Sequence, residues 1–297
     1  MKKIAIVTGS DKNYFPFLKN LALSLKLSKS LDLCDLCILK VDQNTEYLDE
    51  LKDMITKSCD ANFKLKVFFD EKKNWHKLLT ERPFIKDYFP GYKKYIWLDA
   101  DTEVLNLDGI KFLDDATEEK ELAIAPEVNE SYIFKNKSFG LKKIFSSFYK
   151  ISGWSFKNYN KYFGNKLGEN LFFKPLFNNG VFCLRSDSKI WDLWKFEYQS
   201  ALKKAKTSYG IKTDQLSLNK VIYENFRLIS ILDSTNNWIV AKSELLRKQN
   251  CLFFTPSFPR RKINIIHYTN FSYKDFFRVI ENGEIKNLPI IKDCYDN

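Results

Sequence analysis

Two carboxylates one residue apart close a hydrophobic run in "KKYIWLDADTEVLNLD", residues 93–108, where Asp99 and Asp101 flank Ala100. Side chains of an extended segment alternate between faces, so Asp99 and Asp101 point the same way and Ala100 points into the sheet. Carboxylates that converge at a strand end repel each other unless a cation lies between them. Hard divalent ions prefer oxygen ligands and bridge one or two carboxylates to the phosphates of a substrate. The pair therefore reads as a metal clamp for a diphosphate. A polar turn leading into the next segment is the other reading of the same residues.

The elements that would hold this pair follow from periodicity. "KKIAIVTG" is a short apolar run ending in Gly, and "CDLCILKV", "KLKVFF" and "YKKYIWLD" continue as strands. Helical segments separate them. "NYFPFLKNLALSLKLS" puts Phe17, Leu18, Leu21 and Leu25 on one stripe, with Pro16 in its first turn. "TEYLDELKDMITKSC" reads as a helix, and "NWHKLLTERPFIKDYF" as a helical segment broken around Pro83. Strands alternating with helices predict an α/β fold built of βαβ units on a mostly parallel sheet, and such sheets bind ligands beyond the carboxyl ends of their strands. Thr8 and the Asp99–Asp101 pair stand at those ends. "PLFNNGVFCLRSD", "FRLISIL" and "KINIIHYT" read as later strands. "KIWDLWKFEYQSALKKA" and "TDQLSLNKVIYEN" read as helices, the second capped by Thr213 or Asp214.

Between these halves, roughly Glu127 to Pro175, the rhythm is lost and the chain becomes aromatic and basic. We expect one domain over residues 1–297, made of a first α/β part (1–126), an inserted lobe (127–175), and a last part with the C-terminal region (176–297). Trp154, Tyr159 and Tyr162 lie in the insertion, where they could form a small helical core of their own.

Composition sets outer limits. The chain has 297 residues, 44% hydrophobic and 16% aromatic, which excludes a disordered chain. A net charge of +11 favours anionic partners, but the basic residues are dispersed, with "LKKAKTS" and "PRRK" the densest clusters. The six cysteines show no disulfide or zinc spacing, and Cys34 and Cys37 enter an apolar strand. We read them as buried structural thiols in a reducing cytoplasm. The N-terminal apolar run is shorter than a signal-peptide core, and nothing approaches the ~20 apolar residues of a membrane span. The expectation is a cytoplasmic protein, soluble or peripheral at an anionic membrane.

The stretch around "YIWLDADTEV" resembles the "YLDADTLV" segment of GT-A-fold glycosyltransferases, in particular glycosyltransferase family 8, and the resemblance continues in order along most of the chain. "IVTGSDKNY" is similar to the family's first strand and the D-x-N-Y that follows it. Asp11 and Asn13 would then hold uridine and Tyr14 would stack on it, with Thr8 beside them. Arg82 falls where the family carries a donor-binding Arg, and its guanidinium fork suits phosphate or sugar hydroxyls. Asp99, Ala100 and Asp101 match the D-x-D. "FNNGV" resembles the family's "FNAGV", so Asn178 would contact the donor sugar and Gly180 would permit close backbone approach. Asn179 stands where a small residue is usual. "TDQLSLN" resembles the family's "DQDLLN", which places Asp214 and Gln215 as catalytic candidates near the reacting carbon. "IIHYT" is similar to the strand whose His completes the metal site, which makes His267 the third ligand after Asp99 and Asp101. His76 has no motif partner. The family follows its His with a diphosphate-binding Lys. Here Tyr273 takes that place and Lys274 is displaced by one, so Lys274 or the group Arg260, Arg261 and Lys262 would have to substitute.

The resemblance implies a GT-A (Rossmann-like) fold, with 1–126 as a nucleotide-sugar-binding half, 127–175 as an inserted acceptor-side lobe whose Trp154, Tyr159 and Tyr162 would stack on sugars, and 176–297 as an acceptor-side half with the C-terminal region. It implies transfer of a hexose from a UDP-sugar to a glycan or lipid-linked saccharide hydroxyl, with Mn²⁺ or Mg²⁺ and with retention. Two other readings are a nucleotidyltransferase of similar α/β architecture and a non-catalytic nucleic-acid-binding protein. The first wants a Gly-rich loop after the first strand, and "TGSDKNYFPF" is poor in Gly. The second wants a focused basic stripe with interleaved aromatics, for which "SFGLKKIFSSFYK" is the candidate, and it leaves the D-x-D unexplained. Nucleic acid is therefore not an expected partner.

Overall fold

A computed structural model describes residues 2–62, 64, 75–132, 154–172, 174–204, 213–248 and 252–290. Its centre is a seven-stranded sheet in the order β3-β2-β1-β4-β7-β6-β8. The strands are β1 (Ile4–Ser10), β2 (Cys34–Lys40), β3 (Lys57–Asp60), β4 (Lys94–Leu98), β6 (Leu122–Pro126), β7 (Phe177–Arg185) and β8 (Ile229–Ile231). Six run parallel. β7 runs against its neighbours β4 and β6.

All residues of β1 and β4 are buried, because helices cover both faces of the sheet. On one face Ile4 and Ile6 meet α1 (Phe15–Leu27) and α5 (Asp108–Glu119), through Phe17, Leu18, Leu21, Leu25, Ile110 and Leu113. The stripe expected for α1 is the one buried. On the other face Ala5 and Val7 meet α3 (Trp75–Glu81), α4 (Ile85–Tyr88), α8 (Ile190–Lys204) and α9 (Asp214–Glu224), through Leu78, Ile85, Trp191, Trp194, Leu218 and Ile222. The short α2 (Ser30–Leu33) leads into β2. None of the described helices is long and apolar enough to cross a membrane.

Two smaller sheets complete the fold. β5 (Thr102–Val104), β12 (Ile265–His267) and β9 (Trp238–Ile239) lie side by side in that order. β12 pairs antiparallel with β5, opposing His267 to Thr102, and parallel with β9, opposing His267 to Ile239. The second sheet, β11-β10-β13-β14, comprises β10 (Leu245–Lys248), β11 (Leu252–Phe254), β13 (Phe276–Glu281) and β14 (Glu284–Pro289).

Some elements differ from the sequence pattern. The helix expected over "TEYLDELKDMITKSC" is a 3₁₀ turn, Glu46–Leu51, followed by β3. Leu48 and Leu51, three apart, are both buried, a spacing that a 3₁₀ turn serves. Cys37 to Lys40 of β2 then pair with Lys57 to Asp60, which draws that segment into the sheet. Of the strand expected at "KLKVFF", residues 65–69 lie outside the described set. In the 127–175 segment, residues 133–153 are also outside it. Residue 173 is outside it too, and residues 154–172 hold α6 (Trp154–Phe163) and α7 (Asn165–Phe172). Tyr159 and Tyr162 are 2% and 1% exposed, and Tyr159 packs with Leu171 and Leu216. Tyr159 thus belongs to a small helical core, and Tyr162 is buried as well.

One buried amide ties the middle of α9 to the start of β7. Asn219, fully buried, accepts from Phe177 N (2.7 Å) and donates to Phe177 O and Gln215 O, both at 2.8 Å. Asn219→Leu would leave the Phe177 backbone groups unsatisfied in the interior. Chemical denaturation should report a loss of roughly 1–3 kcal/mol with an unchanged slope. No shift of the midpoint would refute this role for Asn219.

Candidate active site

β1 and β4 end side by side, and their carboxyl ends open into a cavity of about 440 Å³. Its wall on the β1 side carries Gly9, Ser10 and Tyr14. Asp99, Ala100 and Asp101 follow from β4, and His267 from the end of β12. Asn178, Asn179, Asp214 and Gln215 form the far wall.

Asp99, Asp101 and His267 present one ligand atom each, all within 4.8 Å of one another. His267 Nε2 lies 3.4 Å from Asp101 Oδ1 and 3.9 Å from Asp99 Oδ2. The pairing of β12 with β5 produces this proximity, and Tyr268 N donates to Asp101 O at 2.8 Å. The His267 Nδ1 edge meets Asn237 Oδ1 at 2.9 Å, which leaves Nε2 to face the carboxylates. Burial disfavours a charged imidazole, but Asp101 and Asp99 outweigh it and raise the His267 pKa above its ordinary value. Two carboxylate oxygens and one imidazole nitrogen form a donor set that Mn²⁺ or Mg²⁺ accepts.

Gly180 sits directly behind this cluster. A Cβ there would lie 2.4 Å from His267 Cε1 and 2.6 Å from Asp99 Oδ2, so the close approach requires glycine. The Gly180 carbonyl accepts from Asp99 N at 2.8 Å, and its N–H donates to Asn178 Oδ1 at 2.8 Å.

The two oxygens of Asp99 are used differently. Oδ1 accepts from Trp97 Nε1 (2.6 Å) and from Arg82 Nη2, while Oδ2 turns toward His267. Arg82, 5% exposed, stands on the 3₁₀ turn Arg82–Phe84 that breaks the helix at Pro83. Its Nη1 donates to Asp214 Oδ2 at 2.6 Å and to Asn179 Oδ1 at 3.1 Å, and Asn179 Nδ2 donates to the same Asp214 oxygen at 2.8 Å. Burial works against the guanidinium charge, yet the two carboxylates hold its pKa above the ordinary value. Asp214, 2% exposed, is pushed up by burial and pulled back by Arg82 and Asn179. Gln215 Nε2 and Asn178 Nδ2 both donate to Glu127 Oε1, at 3.1 and 3.0 Å, and Lys242 Nζ holds Glu127 Oε2 at 2.6 Å.

The cavity thus brings together Tyr14, Arg82, Asp99, Ala100, Asp101, Asn178, Asp214, Gln215 and His267 from the sequence candidates. Thr8 is buried within β1, one residue short of the cavity wall. Asp11 is buried and accepts from Tyr14 N at 3.0 Å, capping the turn that delivers the Tyr14 ring. Burial raises the Tyr14 pKa, with Asp101, Asp11 and Asp99 adding to it. Asn13 is exposed outside the lining, and so is Lys274, whose Nζ lies 5.6 Å from the Tyr273 ring centre. Arg261 pairs with Glu130 and Asp233, and with Lys262 it lines a different cavity, beside α5. Sequence reasoning missed Trp97, Asn237, Glu127 and Lys242. Trp97 was within reach of it, since residues two apart on a strand share a face.

The sequence matches the family model for glycosyl transferase family 8 over residues 5–275. A search of curated proteins finds no match. Among solved structures the fold is similar to that of an active-site mutant of LgtC, at 12% identity and a TM-score of 0.52 over 90% of this chain and 88% of that one. It is similar also to mouse xyloside xylosyltransferase 1, at 12% identity and a TM-score of 0.51 over 91% and 98%. A third likeness, to the bifunctional glycosyltransferase WbbM, has 12% identity and a TM-score of 0.53 over 91% of this chain and 46% of WbbM. At these identities the structures establish the GT-A arrangement of sheet and helices. With the family match spanning nearly all of the sequence, the chain belongs to glycosyltransferase family 8 and is a glycosyltransferase.

Proposed function

We propose that this enzyme transfers a hexose from a UDP-sugar to a hydroxyl of a glycan or lipid-linked saccharide, with a divalent cation, Mn²⁺ or Mg²⁺, and with retention at the anomeric carbon. The observation that carries the reading is the Asp99–Asp101–His267 cluster at the mouth of β1 and β4, with Tyr14 on one side and Asp214 and Gln215 on the other. The Tyr14 ring offers a stacking face for a uracil. The far wall offers carboxylate and amide groups for sugar hydroxyls.

Asp99, Asp101 and His267 would hold a divalent cation, which would supply Lewis-acid stabilisation of negative charge on the diphosphate. The protein's own groups do the rest. Arg82 and Trp97 fix Asp99 Oδ1, so that Oδ2 is the oxygen turned to the cluster. Glu127 fixes the Gln215 amide nitrogen, which leaves the carbonyl oxygen as the end free to face positive charge at the anomeric carbon. In the proposed step the bond from that carbon to the phosphate oxygen breaks. The acceptor oxygen bonds to the same face, and the acceptor proton passes to the departing phosphate oxygen. Asp11, Asn13 and Thr8 are proposed to shape the nucleoside end through the strand and turn that carry Tyr14. Lys274 is proposed as the diphosphate contact from the far side of Tyr273. The proposed setting is the cytoplasm, where the buried thiols Cys34, Cys37 and Cys183 remain reduced, with peripheral contact to an anionic membrane.

Calorimetric titration of UDP and of GDP, with and without Mn²⁺, tests the donor half of this reading. We expect UDP binding that requires the cation and disappears in Asp101→Asn. Equal binding of UDP without any divalent ion, or none with it, would refute the reading. A second prediction concerns Asn237, which orients His267 through Nδ1. Asn237→Ala should weaken Mn²⁺ binding by about 10- to 100-fold, as loss of such an outer partner does. The thermal midpoint should move by only a few degrees. An unchanged Mn²⁺ affinity would show that Asn237 does not set the imidazole orientation.

A further inference from the structure

The far wall of the cavity limits the chemistry of the sugar it can take, and this inference rests on the UDP-sugar reading above. With the diphosphate at Asp99, Asp101 and His267 and the base toward Tyr14, the sugar falls against Asn178, Asn179, Asp214 and Gln215. Arg82 is the one permanently cationic side chain among the described residues lining that cavity. Its charge is already shared by two carboxylates, Asp99 and Asp214, and its Nη1 serves both Asp214 and Asn179.

Asn179 closes this arrangement. Its carbonyl oxygen accepts from Arg82 Nη1 at 3.1 Å and its amide donates to Asp214 Oδ2 at 2.8 Å, so each end is engaged inside the wall. Lys242, which reaches Glu127 beside Gln215, is held by that carboxylate at 2.6 Å. Among the described residues of the lining, a carboxylate brought to this wall would meet Asp214 with Arg82 already engaged, and like charges brought together in a buried site repel. A neutral sugar instead offers hydroxyl donors, which Asp214 Oδ1 and the Gln215 carbonyl can accept.

We propose that the donor is a neutral sugar nucleotide, not a uronic acid, and that Asn179 is a specificity-determining residue that keeps Arg82 engaged with Asp214. The test is calorimetric competition in Mn²⁺, with UDP, UDP-glucose, UDP-galactose, UDP-xylose, UDP-glucuronate and UDP-galacturonate on the intact enzyme. We expect at least one neutral sugar nucleotide to bind as tightly as UDP or tighter. Both uronates should bind roughly tenfold or more weaker than UDP. Asp214→Asn, which removes the competing carboxylate and keeps the shape, should narrow that gap. Asn179→Ala should do the same by removing one of the two acceptors that hold Nη1, and Asn179→Gln should restore part of the gap. Uronates that match or exceed the neutral donors on the wild-type enzyme would overturn the inference while leaving UDP binding intact. A gap that does not change in either Asp214→Asn or Asn179→Ala would overturn the role given to Arg82 and Asn179. Absence of any UDP binding would overturn the nucleotide reading and this inference with it.

Discussion

The site depends on one buried cation shared between two chain segments. Arg82 is enclosed, and an isolated charge in such a place would be prohibitively costly. Asp99 and Asp214 make it tolerable, and they come from opposite ends of the far wall and the cluster. The same contacts hold the acids. Without Arg82, Asp99 Oδ1 would keep only Trp97, and Asp214 would be a buried carboxylate with Asn179 as its side-chain donor. Loss of one partner from a buried pair costs more than the pair contributes, because it strands the other charge. The helix break at Pro83 serves this geometry by turning Arg82 out of α3 and beneath the ends of β4 and β7.

The second constraint is covalent distance overcome by strand pairing. His267 lies far along the chain from Asp101, and only the three-stranded sheet brings them together. Closing so long a loop is not the obstacle, since the entropic cost grows only with the logarithm of loop length. Specificity of register is what matters. β12 is placed between β5 and β9, so His267 stands opposite Thr102, one residue from Asp101. Gly180 then admits the imidazole and the Asp99 carboxylate to the same few ångströms.

Much of this was legible in the sequence where one local rule governs. The alternation of strands and helices gave the sheet, and the Pro83 break appeared where expected. The "LDAD" carboxylates do not share a face through strand alternation: β4 ends at Leu98, and Asp99 to Thr102 form a turn in which Thr102 N donates to Asp99 O at 3.0 Å. The α1 stripe was buried as its periodicity indicated. The helix over residues 45–59 failed because the open edge of β2 offered partners that outweighed local propensity. Of the two readings of the insertion's rings, the small helical core is the one that Tyr159 follows, because the helix pair α6 and α7 buries it against Leu171 and Leu216. Asn237 and Glu127 were invisible because their importance lies in partners far away in sequence, with no spacing to mark them.

The charge of the chain and the charge of the cavity have opposite sign. The sequence carries +11, while the lining opposes Asp99, Asp101 and Asp214 with Arg82 and His267. A basic surface draws an anionic nucleotide from a distance, but at contact range the nearest groups decide, and those are acids. In the proposed reading a divalent cation reconciles the two, making the carboxylate pair attractive to a diphosphate. The far wall has no such reconciliation. Asp214 is compensated by a cation already shared with Asp99, so that part of the cavity remains suited to hydroxyls. The division of one small cavity into an end that takes charge and an end that refuses it follows from where Arg82 spends its hydrogen bonds.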